Sequence, residues 1–311
     1  MIGDGVLDHL RRVVDEPDLS GTKYELLEPL GRGGMGTVFS VNDTQLGRQV
    51  AMKVLAAPDP TGELAARLQL EARFLARLEH PGIVPVYDAG TLPDGRPYCV
   101  MKHVRGKRFD QWLADGPGRA SALQLVERIC ETVAFAHAHG VIHRDLKPAN
   151  IMVGEFGEAM VMDWGVAKEL GAPEAVRGAS PPSSPELTRH GAVVGTTSWM
   201  APEQERGEPA DRRSDVFSLG ALLKLVAGDE PAPSLKAICT RATAQEPAGR
   251  YPSAEELAKD IRRYLDGQRV LAYPETLMQQ VTRVSRPFWP LLGVLGFYLA
   301  LRLAVFLGWG N

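Results

Sequence analysis

His143-Arg144-Asp145-Leu146-Lys147-Pro148-Ala149-Asn150 is the most informative stretch of this chain. It places a carboxylate, an ammonium and an amide at fixed spacing in one short loop. Asp145 can receive a hydroxyl proton, Lys147 can neutralise a phosphate, and Asn150 can hold Mg²⁺ through its side-chain oxygen. Together they suit phosphoryl transfer, which depends mainly on positioning and on charge stabilisation. Phosphoryl transfer also needs groups that hold phosphates, and a glycine-rich turn is one such device.

Leu30-Gly31-Arg32-Gly33-Gly34-Met35-Gly36-Thr37-Val38 lies upstream, with Gly31, Gly33 and Gly36 in G-x-G-x-x-G positions. In a dinucleotide-binding fold this pattern would follow a strand and open a helix. Here residues 24–29 and 38–41 read as short strands on either side, so the loop is expected to be a hairpin tip folded over phosphates. Glycine lets the backbone approach the anion closely and adopt positive φ. Val50-Ala51-Met52-Lys53 reads as the next strand, and alternation puts Ala51 and Lys53 on one face. Ala51 is small, and Lys53 places a positive charge on the same face. A lysine on a buried face needs a carboxylate partner. A helix over residues 64–78 offers Glu71, with Glu63 too near its start and Glu79 at its end.

Downstream stand Val161-Met162-Asp163-Trp164-Gly165 and Gly195-Thr196-Thr197-Ser198-Trp199-Met200-Ala201-Pro202-Glu203. With the catalytic loop, these motifs resemble the bacterial branch of eukaryotic-like Ser/Thr protein kinases, in order, from about residue 24 to 265. His80-Pro81-Gly82-Ile83-Val84, Val100-Met101 and Arg250-Tyr251-Pro252-Ser253-Ala254 read like the same branch. The resemblance implies an α+β, bilobal fold. The small lobe, residues 24–101, would be a five-stranded antiparallel sheet with one helix, and the mainly helical large lobe would cover 102–266. ATP and Mg²⁺ are the implied cofactors. Leu30, Gly31, Gly33, Gly36, Val38, Ala51, Lys53, Glu71 and Met101 would surround the nucleotide, with Glu71 the partner of Lys53. Asn150 and Asp163 would hold metal, and Asp145 and Lys147 would be catalytic. Glu203 would pair with Arg250, and Asp215 would brace the catalytic-loop backbone. Thr196 would contact Asp145 and Lys147.

Three departures from the family pattern stand out. Trp164 replaces the usual Phe, keeping a large ring but with a wider indole. The span from Asp215 to Arg250 is short, so the substrate-docking helix after the long central helix is expected to be absent or rudimentary. The hinge and following turn are basic, with Lys102, His103, Arg105, Lys107 and Arg108, and Asp110 is left as the substitute for a ribose-binding acid.

Composition sets further bounds. A chain of 311 residues is ample for two lobes and an appendage. The net charge of −3 gives no bulk attraction to nucleic acid. Three cysteines, Cys99, Cys130 and Cys239, are few and unpatterned, and read as reduced core residues of a cytosolic domain. Residues 1–20 lack an apolar run, so no signal peptide is expected, and 1–23 is read as an N-terminal segment without assigned function. His137 and His139 are two apart near a helix end and do not share a face, so they are not read as a metal site. Residues 168–190 are rich in Pro, Ser, Ala and Gly. Within them Thr188, then Ser184, Ser183 and Ser180, are the phosphosite candidates, with Arg144 the expected phosphate partner.

The C-terminus carries a separate signal. From Phe288 to Trp309 the chain is apolar apart from Arg302. Residues 290–309 are enough to cross about 30 Å of hydrocarbon as a helix. Trp289 and Trp309 sit where interfacial aromatics belong, and a transmembrane helix is expected over 288–309. Arg262, Arg263, Arg269, Arg283 and Arg286 precede it, 267–287 being a basic juxtamembrane segment. A single pass through the cytoplasmic membrane is therefore expected, with the kinase domain in the cytoplasm. With Gly310-Asn311 following, no extracytoplasmic receptor domain is expected. Gly296, Ala300, Ala304 and Gly308 make a stripe of small residues that suits a homodimer, or are scattered small residues ordinary in such helices. The expected function is ATP-dependent phosphorylation of Ser or Thr in protein substrates, including itself, in bacterial signalling. The alternative is a kinase-like membrane scaffold with weak chemistry.

Overall fold

The computed structural model describes residues 16–33, 36–56, 61–164, 168–169, 199–276, 278–281 and 289–308. Five strands open the chain: β1 (Tyr24–Gly33), β2 (Gly36–Asp43), β3 (Arg48–Leu55), β4 (Val86–Thr91) and β5 (Pro97–Lys102). They pair antiparallel in the order β1-β2-β3-β5-β4. Alternation along β3 and its neighbours sorts the side chains. Val50, Met52 and Val54 join Tyr24, Phe39, Val41, Leu92 and Val100 in a core on one face. On the other face, Leu55 and Cys99 pack with Leu68 and Ala72 of α1 (Glu63–Ala76). Alternation along β3 puts Ala51 and Lys53 on that second face too, so the strand delivers them away from the small-lobe core. Residues 16–22 are tied to the turn between β4 and β5, and Leu19 packs on the small-lobe core. Arg96 Nη2 donates to the carbonyl of Glu16 at 2.6 Å, and the Asp18 amide donates to Asp94 Oδ2 at 3.2 Å.

The second lobe contains β6 (Gly106–Arg108), α2 (Phe109–Ala114), α3 (Arg119–Ala138), β7 (Val141–Ile142), β8 (Ile151–Gly154), β9 (Ala159–Val161) and β10 (Lys168–Glu169). It continues through α4 (Pro202–Glu205), α5 (Arg212–Ala227), α6 (Pro233–Ala242) and α7 (Ala254–Leu265). Its core joins Ile129 and Val133 of α3, Leu219 and Leu222 of α5, Ile238 of α6, and Leu257 and Ile261 of α7. The run Ser214–Leu223 on α5 is buried throughout, as expected of a central helix whose residues here, Asp215 apart, are apolar or small. Asp211 caps its start by accepting from the Arg213 amide at 2.7 Å. At Gly220 a Cβ would lie 2.6 Å from Ala242 Cβ, so glycine is what lets α6 pack this closely on α5. Only residues 228–232 separate α5 from α6, and they contain no helix, which agrees with the shortened span.

Asp260 of α7 gathers the chain beyond the helix. Its fully buried carboxylate accepts from Tyr251 Oη at 2.8 Å, Leu271 N at 2.8 Å and Ala272 N at 3.0 Å, and from Arg263 Nη1 at 3.1 Å. Val270 is buried in the same core. Arg262 is held by Glu127 and Glu131 of α3. Two of the five arginines expected to bias membrane orientation thus already have acidic partners within the lobe.

The C-terminal helix α8 spans Trp289–Gly308. Val294, Leu295, Phe297, Leu299, Leu301, Leu303 and Val305 on it are all exposed, and the Arg302 guanidinium lies 6.0 Å from the Tyr298 ring centre. Among the described residues, however, no helix is long and apolar enough to cross a membrane. The transmembrane expectation over 288–309 is therefore not met by the described residues. Side chains at 289–292, 304 and 306–308 lie outside them.

Candidate active site between the lobes

The β1–β2 hairpin carries the glycine positions. Its register pairs Gly31 with Val38 and Gly33 with Gly36, while Leu30 falls at an irregularity between Pro29 and Gly31. Gly34 and Met35 at the tip lie outside the described residues. A Cβ at Gly36 would lie 2.1 Å from the Val54 carbonyl, so only glycine lets β2 run this close to β3. Val38 pairs with Lys53, and Ala51 pairs with Met101. Pairing thus gathers residues distant in sequence into one small patch of sheet. Glu71 is within α1, but its side chain lies outside the described residues.

Lys53 reaches across the cleft. Its Nζ is 2.6 Å from Asp163 Oδ1. Burial pushes the Asp163 carboxyl up, but the Lys53 charge and hydrogen bond, with His143 and Lys147 nearby, bring it below the usual carboxylate range. Asp163 is thus an anion at neutral pH. It follows β9, which is tied to the other lobe's boundary by a hydrogen bond from the Val161 amide to the Gly82 carbonyl, at 2.8 Å.

The loop carrying Asp145 converges on the same point. Asn150 Nδ2 donates to Asp145 Oδ2 at 3.0 Å and to the Asp145 carbonyl at 2.8 Å. Both amide hydrogens are directed at Asp145, which leaves Oδ1 as the atom for a cation. Lys147 Nζ lies 2.9 Å from Asp145 Oδ2. The Met162 amide donates to the Asn150 carbonyl at 2.8 Å, so the Asn150 and Asp163 segments are in register. An ionised carboxylate and an amide oxygen are the hard donors that Mg²⁺ takes alongside substrate phosphates, so this pair fits the ion. Among the described residues no group of three His, Cys, Asp or Glu side chains could hold a metal.

Beneath the loop lies Asp215, fully buried. Its Oδ2 accepts from the His143 amide and its Oδ1 from the Arg144 amide, both at 2.8 Å. His137 Nε2 also meets Oδ2 at 2.8 Å. Burial opposes the charge on Asp215, but the His137 hydrogen bond and charge and the His143 contacts hold its carboxyl below the ordinary range. His137 is therefore a partner of this brace, and His139 caps its own helix by bonding the Phe135 carbonyl at 2.8 Å. Arg144 is half-buried with φ +69°, and its buried Nε has no hydrogen-bond partner among the described residues. Burial lowers the affinity of its guanidinium for the proton. Thr188, Ser184, Ser183 and Ser180, and Thr196, lie outside the described residues.

Trp164 is 2% exposed. Its ring packs on His143 with centres 4.6 Å apart, and its Nε1–H donates to the Val161 carbonyl at 3.1 Å. A phenylalanine at this place could fill most of the volume but could not donate. Trp164→Phe is expected to lower stability by about 0.5–1.5 kcal/mol through that lost bond. Thermal unfolding measures it, and an unchanged midpoint would show that the indole hydrogen bond makes no net contribution.

The hinge cations are mostly engaged. Lys107 pairs with Asp115 at 2.8 Å, and Arg105 donates to Gln49 at 3.0 Å. Arg108 pairs with Asp110 at 3.2 Å, which ties up the carboxylate expected to substitute at the ribose. Burial, followed by the charge of Arg105, makes His103 a weaker base than usual.

Glu203 and Arg250 form a buried bidentate pair, Nη1 to Oε1 and Nη2 to Oε2, each 2.7 Å. Arg250 also donates to the carbonyls of Ala244, Gln245 and Arg213. Sequence reasoning passed over Gln204, which bonds the Arg144 carbonyl through Nε2 at 2.9 Å. The available signal was local. A glutamine three residues after the helix cap commonly reaches back to the cap amide, and here Gln204 Oε1 accepts from Ala201 N at 3.3 Å.

A strand-borne lysine thus meets a metal-competent carboxylate from the other lobe, beside a loop of Asp, Lys and Asn. Comparison with known proteins agrees. Residues 24–266 match the protein kinase domain family, and the chain belongs to it. Serine/threonine-protein kinase PknB of Mycolicibacterium smegmatis is 38% identical over 289 residues, 81% of this chain and 44% of that protein. A probable serine/threonine-protein kinase of Streptomyces coelicolor is 36% identical over 296 residues, 83% of this chain and 42% of that protein. The chain thus spans less than half the length of these curated relatives. The crystal structure of the Mycobacterium tuberculosis PknI kinase domain is similar with a TM-score of 0.59 and 26% identity, over 80% of this chain and 98% of that one. The architecture is accordingly the bilobal protein kinase fold, an antiparallel sheet joined to a helical lobe.

Proposed function

We propose that this chain transfers the γ-phosphoryl group of ATP to Ser or Thr hydroxyls of proteins. The observation that carries the reading is the convergence of Lys53 and Asp163 at 2.6 Å above the cluster of Asp145, Lys147 and Asn150. Lys53 holds the α- and β-phosphates, and Leu30, Gly31, Gly33, Gly36, Val38, Ala51 and Met101 shape the nucleotide pocket, with Glu71 aligning Lys53. Asp163 and Asn150 hold Mg²⁺, which neutralises phosphate charge when bound. Asp145 orients the incoming hydroxyl and takes its proton late, because the transition state is loose. Lys147 stabilises charge on the moving group. Full-length protein in lipid, given Mg²⁺, γ-labelled ATP and a generic basic protein, should place label on Ser or Thr. No label at any enzyme concentration, with ATP still bound, would overturn the reading in favour of a kinase-like scaffold.

Membrane attachment through residues 288–309 belongs to the same proposal. Its support is the apolar sequence from Phe288 to Trp309 together with the exposed apolar side chains of α8. The kinase domain would face the cytoplasm, and the Gly296, Ala300, Ala304 and Gly308 stripe would allow a homodimer that phosphorylates in trans. Phosphate on Thr188, Ser184 or Ser183 would meet Arg144, whose buried Nε has no partner among the described residues. The protein should resist alkaline extraction from membranes, and complete release would remove the anchor.

A further inference from the structure

Arg144 and Asp163 are the two non-glycine residues with positive φ among the described residues, at +69° and +57°. A left-handed arginine is strained and persists only where its surroundings impose it. The restraints on Arg144 come from both sides of its backbone. Asp215 Oδ1 accepts from its amide at 2.8 Å, and Gln204 Nε2 donates to its carbonyl at 2.9 Å. That carbonyl belongs to the peptide bond that leads into Asp145, and the amide end of the same bond donates to His143 Nδ1 at 3.2 Å. Rotation of this peptide plane would break both contacts and would swing the Asp145 side chain.

Gln204 is not an isolated contact. Its Oε1 accepts from Ala201 N at 3.3 Å, so both ends of its amide are used and its orientation is set. It lies in Pro202–Glu205, beside Glu203, whose pair with Arg250 anchors this short helix to the large lobe. We propose that Gln204 is a positioning residue for Asp145. It transmits the seating of the Ala201–Glu205 segment to the catalytic carboxylate through the Arg144 carbonyl. When the segment is seated, Arg144 is held left-handed and Asp145 points into the cleft. When it lifts, the carbonyl loses its donor and the strain at Arg144 can relax.

This inference rests on the phosphotransfer reading above, and its test separates the two. In the full-length protein, Gln204→Met keeps length but removes both polar ends, whereas Gln204→Lys restores a donor toward the Arg144 carbonyl without restoring the acceptor for Ala201. Loss of the donor is expected to lower kcat by about tenfold to a hundredfold, the scale for a small misplacement of a reacting group. KM for ATP should stay within about twofold, and the lysine variant should recover kcat to within about threefold of the parent. A methionine variant with parental kcat would overturn the proposal. So would a lysine variant as impaired as the methionine one, since the effect would then come from the Ala201 amide or from local stability. If the parent protein itself transfers no phosphate, the activity reading fails alone. Hydrogen exchange over residues 141–147 then decides the inference: faster exchange in Gln204→Met than in Gln204→Lys supports it, and equal exchange refutes it.

Discussion

Asp145→Asn should reduce kcat for Ser/Thr phosphorylation by about 10²–10⁴-fold while leaving ATP affinity within about twofold. The asparagine side chain has nearly the same shape, and its oxygen can still accept from Asn150, which lies 3.0 Å from Asp145 Oδ2. It cannot take a proton from the incoming hydroxyl, and it offers Lys147 no charge where the ion pair now stands at 2.9 Å. ATP affinity is spared because Lys53 and Asp163, the residues proposed to hold phosphate and metal, keep their own pair at 2.6 Å. Initial rates with a peptide substrate, paired with nucleotide binding, make the check. Activity within a few-fold of the parent would mean that Asp145 does not serve as the acceptor. A parallel collapse of ATP affinity would mean that the substitution disturbed the metal-binding side of the cleft.

Arg250→Met should be the most destabilising single change in the large lobe. It leaves Glu203 buried without its guanidinium and strips donors from the carbonyls of Arg213, Ala244 and Gln245. Removing one member of a buried pair typically costs about 3–5 kcal/mol. For a lobe of this size that corresponds to a fall in Tm of roughly 6–20 °C. Ser214 Oγ, 2.7 Å from Glu203 Oε1, is one remaining donor but carries no charge. Glu203→Leu combined with Arg250→Met should recover part of the loss, because no uncompensated charge then remains. The pH dependence has a definite sign. Burial pushes the Glu203 carboxyl up, but the hydrogen bonds from Arg250, the backbone and Ser214 hold it below its ordinary value of 4.5. A depressed carboxyl contributes stability above its unfolded pKa and loses it as pH falls through the folded value. The difference between parent and Arg250→Met should therefore be fully present near neutrality and shrink in acid. Thermal unfolding from pH 7 downward tests this, and a difference that grows in acid would exclude the ion pair as its source.

Much of the candidate site is legible in the sequence because its chemistry is local. Asp145, Lys147 and Asn150 lie within a few residues, so loop geometry alone brings them together. Ala51 and Lys53 share a face because a strand repeats every two residues. Trp164 was legible as an aromatic, but not as the hydrogen-bond donor to Val161, since the direction of an indole N–H depends on how its ring is packed. The position of Asp110 suggests a ribose contact, but at the start of α2 it pairs with Arg108, the residue at the helix cap.

The order of motifs, the alternation of the strands and the short span after the central helix follow from residue identity and spacing, and these defined the family and the candidate site residues. Asp260 illustrates what spacing does not carry. Nothing around it in sequence shows that a buried carboxylate on one helix would collect Tyr251 and the amides of Leu271 and Ala272. Asp215 was expected under the backbone of residues 143–144 from the resemblance, but the addition of His137 to that carboxylate was not, because it depends on the packing of two helices. Gln204 reaches Arg144 across 60 residues of chain. Local propensity and periodicity act over a few residues, whereas these contacts exist only once the core of the large lobe has closed and left buried polar groups that must find partners.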